Sequence, residues 1–232
     1  MTAERTYRFR DGKELRLGAR TLVMGILNVT PDSFSDGGRW NRRDDALRHM
    51  EEMVHDGADI IDIGAESSRP GFVPMSAAEE IERLLPFLEA VLPECPVPVS
   101  VDTFKAETAR AALAAGAHLL NDIWGLQYAE EPGAMAQAAA EADAPVVIMH
   151  NQNGTAYDGD VIAAMRGFFL RSFEIADAAG LARENIILDP GIGFGKTAEQ
   201  NMHVMRRMDE LISYAGMDYP LLLGASRKSF IG

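Results

Sequence analysis

Seven short apolar runs, at 21–29, 59–65, 97–102, 118–123, 145–150, 185–190 and 220–225, alternate along this chain with longer stretches whose apolar residues recur at helical spacing. Those helical stretches cover 43–56, 76–92, 106–115, 133–141, 161–179 and 198–214. Near-continuous apolar strands imply a sheet covered on both faces, and helical crossovers between every pair imply that the strands run parallel. Two architectures satisfy this order, a closed barrel and an open doubly wound sheet. The expectation is an α/β fold of the TIM (β/α)8 type, because a polar group closes nearly every run: Asn28, Glu66, Asp102, Asn121, His150, Asp189 and Ser226. A barrel brings all of them to one mouth, whereas an open sheet uses only those beside its switch point.

Residues 6–18 read as a hairpin turning at Asp11-Gly12, and residues 1–20 are expected to close the barrel floor. With 232 residues and no linker or low-complexity segment, the reading is one domain over 1–232. No apolar stretch approaches the ~18 residues of a membrane span, and the first ten residues lack the apolar core of a signal peptide, so a cytoplasmic protein is expected. The lone Cys95 cannot form an internal disulfide, in keeping with a reducing compartment. A formal charge of −13 argues against nucleic-acid or anionic-membrane partners, which need a basic face. A phosphorylated substrate would need a local cluster of cations.

Six segments carry the chemistry. Residues 26–38 (ILNVTPDSFSDGG) form a loop rich in glycine and oxygen donors, suited to cover a Mg²⁺-bound phosphate. In GAESSRPG, residues 64–71, Arg69 can offer a planar fork to an anion. VSVDTFK and LLNDIWG end in Asp102 and Asn121 after runs that should be buried, so each needs a partner or a ligand; capping a helix is the plainer task for Asp102. ILDPGIGFGK, residues 187–196, is no Walker loop, since Gly191 and Gly195 stand one residue too close; its glycines let a flat ligand approach the backbone. Lys228 follows the seventh run, where a lysine is ordinarily solvated.

Taken in order, NVTPDSFSDGG, GAESSRPG, VDTFK, ND, MH, DPGIGFGK and SRKSFIG resemble the signature blocks of the dihydropteroate synthase family over residues 26–232. The chain departs from that pattern in having Ser67-Ser68-Arg69-Pro70 for the usual Ser-Thr-Arg-Pro and Asn151-Gln152-Asn153-Gly154 after Met-His. The last β/α unit of the family, with its Arg-x-His block, is absent from this chain. The resemblance implies an eight-stranded α/β barrel, a homodimer, that uses Mg²⁺ to condense 6-hydroxymethyl-7,8-dihydropterin pyrophosphate with 4-aminobenzoate, and that sulfonamides inhibit by imitating the amine.

By the same resemblance Asp102, Asn121, Met149, Asp189 and Lys228 bind the pterin. Asn28, Ser68 and Arg69 hold the pyrophosphate, with Asn28 also a metal ligand. Phe34, Pro70, Phe194 and Ser229 form the slot for 4-aminobenzoate, while Asp102, Lys228 and Arg69 serve catalysis. Two other readings share the pterin contacts: a methyltetrahydrofolate–corrinoid methyltransferase domain, which needs no pyrophosphate site, and an inactive pterin-binding protein.

Overall fold

The computed structural model describes residues 4–29, 39–66, 75–226 and 228, with the backbone alone at 39–42. Its contacts divide it into two compact units, residues 4–121 and 122–232.

The first unit opens with an antiparallel hairpin, β1 (Arg5–Arg8) and β2 (Glu14–Leu17), in which Tyr7 faces Leu15. Its tip is closed by Gly12 N–H donating to Phe9 carbonyl at 3.0 Å, with Gly12 at φ +87°, and by Lys13 N–H donating to the Asp11 carboxylate at 3.1 Å. His118 anchors that tip. Its Nδ1 accepts from Val99 N–H at 2.9 Å, so Nε2 carries the ring proton and donates to Asp11 at 3.0 Å, while the Phe9 ring meets the imidazole edge-on at 4.8 Å.

Four parallel strands follow, β3 (Met24–Asn28), β4 (Ile60–Gly64), β5 (Val99–Asp102) and β6 (Leu119–Asp122), neighbours in sequence order. Between them lie α1 (Arg39–His55), α2 (Ala77–Glu94) and α3 (Ala106–Ala115). All five residues of β4 are buried, because helices cover one face and the strand interior the other; Ile61, Ile63, Val99 and Val101 pack with Leu84, Leu88 and Val91 of α2. A reciprocal capping box starts α2, Ser76 accepting from Glu79 N–H at 3.3 Å and Glu79 accepting from Ser76 N–H at 2.9 Å.

A charged network runs beneath this packing. The Lys105 ammonium bridges Glu66 and Glu80, at 3.0 Å from the latter, and the Thr108 hydroxyl donates to the same Glu80 oxygen at 3.0 Å. Glu66 also accepts from Met75 N–H at 2.9 Å. The three charged side chains are 7%, 6% and 1% exposed, so neither carboxylate can fall back on water.

The second unit contains α4 (Ala134–Ala142), β7 (Val146–Met149), α5 (Val161–Ala179), β8 (Ile186–Asp189) and α6 (Ala198–Arg206), with β7 and β8 parallel. The seventh expected strand shrinks to one parallel bridge, Leu188 to Leu221, held by Leu188 N–H to Pro220 carbonyl at 2.9 Å and Leu222 N–H to Leu188 carbonyl at 2.8 Å. The helix expected over 198–214 stops at Arg206. A 3-10 turn, Met208–Leu211, and a small hairpin, β9 (Ser213–Tyr214) with β10 (Met217–Asp218), replace its end. Two reasons are visible: Ala215 and Gly216 take φ of +50° and +82°, as a type I′ turn demands, and Tyr214 joins Phe173 and Tyr219 in a buried aromatic cluster with centroids 4.8–6.0 Å apart.

Removing the bridging cation leaves two buried carboxylates facing each other. Lys105→Met is therefore expected to lower the unfolding free energy by about 3–5 kcal/mol near neutral pH, read from urea titrations.

Candidate active site

In the first unit, parallel register sets four strand ends level: Asn28 pairs with Gly64, Gly64 with Asp102, and Asp102 with Asn121. Residues in such a row project from one face, so Asn28, Asp102 and Asn121 share a side with only a glycine between the first two. A Cβ at Gly64 would stand 3.3 Å from Asp102 Cβ and 3.4 Å from its Oδ2, so the missing side chain gives the Asp102 carboxylate room over β4.

Asp62, two residues before Gly64 and on the same face, is 4% exposed and accepts from Asn121 Nδ2 at 3.0 Å. Burial raises its pKa, against the opposing pull of the Ser100 hydroxyl and then of the Asn121 amide. With one amide hydrogen committed to Asp62, Asn121 keeps its other N–H and its carbonyl for a ligand. Asp62 Oδ1 and the hydroxyl of Ser100, its register partner on β5, are both buried, and apart from their attraction for each other neither has a hydrogen-bond partner among the described residues. Asp62 escaped the sequence reading, although an acid in the middle of the apolar run 60–64 was a signal.

In the second unit Met149 and Asp189 are register partners at the ends of β7 and β8. Asp189 is 6% exposed, and its Oδ1 accepts from Gly191 N–H at 2.7 Å. Burial pushes its pKa up to about 6, while Gly191, Lys196 and Lys228 pull the other way. Lys228 lies along Gly193, where a Cβ would stand 2.9 Å from Lys228 Cδ, and its ammonium sits 4.4 Å from the centre of the Phe194 ring. Burial lowers the Lys228 pKa and Asp189 opposes that. Gly191 is obligatory on two counts: its φ is +63°, and a Cβ would fall 2.0 Å from the His150 carbonyl oxygen.

Lys196, quoted within a motif but given no task, proves to be 8% exposed, with its ammonium 3.0 Å from the carbonyls of Gly191 and Phe194 and 2.9 Å from His150 Nδ1. Burial lowers its pKa to about 7, Asp189 opposing and Lys228 assisting. Burial and then the Lys196 charge bring His150 to about 3, so the imidazole is neutral. Asp122, next to Asn121, is consumed locally: it accepts from Trp124 and Leu126 N–H at 2.8 and 2.6 Å, and burial raises its pKa to about 7.

Five expected site residues, Phe34, Ser68, Arg69, Pro70 and Ser229, lie outside the described residues. For Mg²⁺, the fit is limited: among the described residues no group of three or more His, Cys, Asp or Glu side chains is arranged to hold a metal. Exposed Asn28 offers one neutral oxygen, which suits a cation that arrives with a diphosphate and completes its shell from it.

The elevated pKa of Asp189 has a stability consequence. Its folded value, about 6, exceeds the ordinary 3.8, so the folded state binds this proton the tighter; the penalty is absent below pH ~4, grows up to pH ~6 and is constant above. Asp189→Asn, which keeps the acceptor for Gly191 N–H, should be more stable than the parent above pH 6 by about 2–3 kcal/mol. That advantage should vanish near pH 4 in pH-dependent denaturation.

The pterin binding enzyme family model matches residues 24–232. A dihydropteroate synthase from Clostridium beijerinckii is 48% identical over 223 residues, covering 95% of this chain and 79% of the relative. Among solved structures, the dihydropteroate synthase of Clostridium difficile, in the presence of pteroic acid, superposes with a TM-score of 0.86 at 49% identity, over 93% of this chain and 80% of that one. The Xanthomonas albilineans enzyme with 4-aminobenzoic acid gives 0.87 at 39% identity, over 98% and 81%. These likenesses give the chain the α/β-barrel fold class of those enzymes. This chain belongs to the pterin-binding enzymes and, within them, to the dihydropteroate synthases.

Proposed function

We infer that the chain condenses 6-hydroxymethyl-7,8-dihydropterin pyrophosphate with 4-aminobenzoate, releasing pyrophosphate and forming 7,8-dihydropteroate. The observation that carries this is near-50% identity to dihydropteroate synthases over more than nine-tenths of the chain.

Residue roles follow from the chemistry of the two strand-end rows. A pterin edge bearing an amino group and a ring N–H presents two donors to one carboxylate, and Asp189 takes that part, its second row partner Met149 packing beside it. Asn121, with one amide hydrogen already given to Asp62, retains one donor and one acceptor for the complementary edge. Lys228 donates to the pterin carbonyl. Asp102 faces the far side of the ring and stabilises the positive charge that spreads over it as the C–O bond to pyrophosphate breaks; the amine lone pair then forms the new C–N bond and releases its proton.

Asn28, Ser68 and Arg69 hold the departing pyrophosphate, and Phe34, Pro70, Phe194 and Ser229 enclose the amine. Asn28 would hold Mg²⁺, which would supply neutralisation of leaving-group charge. In this reading Asp102, Lys228 and Arg69 are the catalytic residues. The whole chain acts as one domain, supported by a family match that runs unbroken from residue 24 to 232. The protein works as a cytoplasmic homodimer on small-molecule substrates; among the described residues no helix is long and apolar enough to cross a membrane.

Pyrophosphate release from the two substrates with Mg²⁺ tests the reading. Asp102→Asn should cut kcat by about a hundredfold with little change in pterin affinity, as loss of a preorganised charge does. Methyl transfer from a methylated tetrahydropterin to a corrinoid, with no pyrophosphate released, would instead establish the methyltransferase reading.

A further inference from the structure

We propose that Lys196 is a positioning residue of this reaction: by holding the turn 191–195 against His150, it fixes the Phe194 ring and the Lys228 ammonium above it. The proposal rests on the reading of Phe194 and Lys228 as parts of the amine and pterin sites.

The geometry accounts for every donor. An ammonium has three hydrogens and no lone pair, and Lys196 has three acceptors, the Gly191 and Phe194 carbonyls and His150 Nδ1, all within 2.9–3.0 Å. In the protonated form, which prevails below pH ~7, the ammonium can only donate, so there His150 Nδ1 accepts and the ring proton sits on Nε2. No hydrogen is left for a substrate, so Lys196 acts through the turn and touches no reacting atom.

That turn has few other supports. Phe194 N–H closes it onto the Gly191 carbonyl at 3.0 Å, and Gly193 N–H reaches Asn201 Oδ1 at 2.8 Å. Tyr157 donates its hydroxyl to the Gly195 carbonyl at 2.7 Å from the loop after β7. His150 is itself wedged among Phe168, Phe169 and Tyr157, at centroid distances of 4.9, 6.4 and 6.1 Å, so Lys196 ties the turn to a rigid aromatic base. Without the ammonium, two carbonyls and an imidazole nitrogen lose a buried donor, and the turn must shift to find others. Gly193, on which Lys228 lies, shifts with it.

Steady-state kinetics and calorimetry on the full chain test this. Lys196→Met should raise the KM for 4-aminobenzoate on the order of ten- to a hundredfold, the range for a small misplacement of a binding group. The Kd of the pterin pyrophosphate with Mg²⁺ should rise by a smaller factor, through the displaced Lys228 alone, because Asp189 stays on its strand. Tyr157→Phe, which deletes one bond on the far side of the same turn and leaves the core intact, should raise the amine KM about threefold. It decides the matter if the lysine variant does not fold. An unchanged amine KM in either folded variant, or equal losses of amine capture and pterin affinity in Lys196→Met, overturns the positioning role. An inactive parent enzyme overturns the reading beneath it instead.

Discussion

In-register parallel pairing is the constraint from which the rest follows. Asn28, Gly64, Asp102 and Asn121 stand level because each strand enters its ladder at a fixed residue, and the same holds for Met149 and Asp189. A slip of one residue would turn every one of these side chains to the opposite face. The apolar residues packed under α2 are what hold that register, so the core and the chemistry are specified together: Ile61, Ile63, Val99 and Val101 face one way only if Asp62, Gly64, Ser100 and Asp102 face the other.

Burying ionisable groups is costly, and the chain answers the cost differently at each place. Glu66, Lys105 and Glu80 neutralise one another. Asp122 is satisfied by backbone amides, and Lys196 by carbonyls and a neutral imidazole. Asp189 differs, since among the described residues one close bond, from Gly191, is made to its carboxylate, and burial raises its pKa. In the proposed reading a pterin edge with two donors would supply the missing stabilisation, and binding energy would be concentrated where the empty protein is least comfortable.

Much of this was legible in the sequence because it is local. Six of the seven apolar runs became strands, with ends moved by three residues or fewer, since period and turn chemistry act over short spans. The run at 220–225 kept only a bridge at Leu221, and the helical spacing through Leu211 concealed the turn at Ala215-Gly216. What escaped depends on partners far along the chain. Lys105 meets Glu66 and Glu80 across 39 and 25 residues, Asn121 meets Asp62 across 59, and Lys196 meets His150 across 46. No spacing rule encodes such pairs, although a charge inside an apolar run, or directly after a glycine turn, marks where to look.

The anchoring of the amino-terminal hairpin bears on how the chain assembles. Asp11 finds its partner His118 only 107 residues later. At a synthesis rate of about 5–20 residues per second, the hairpin leaves the ribosome roughly 5–20 s before the imidazole that will receive it. A two-stranded ribbon alone in water is marginal, so a segment made well before its partner is among the last to become ordered.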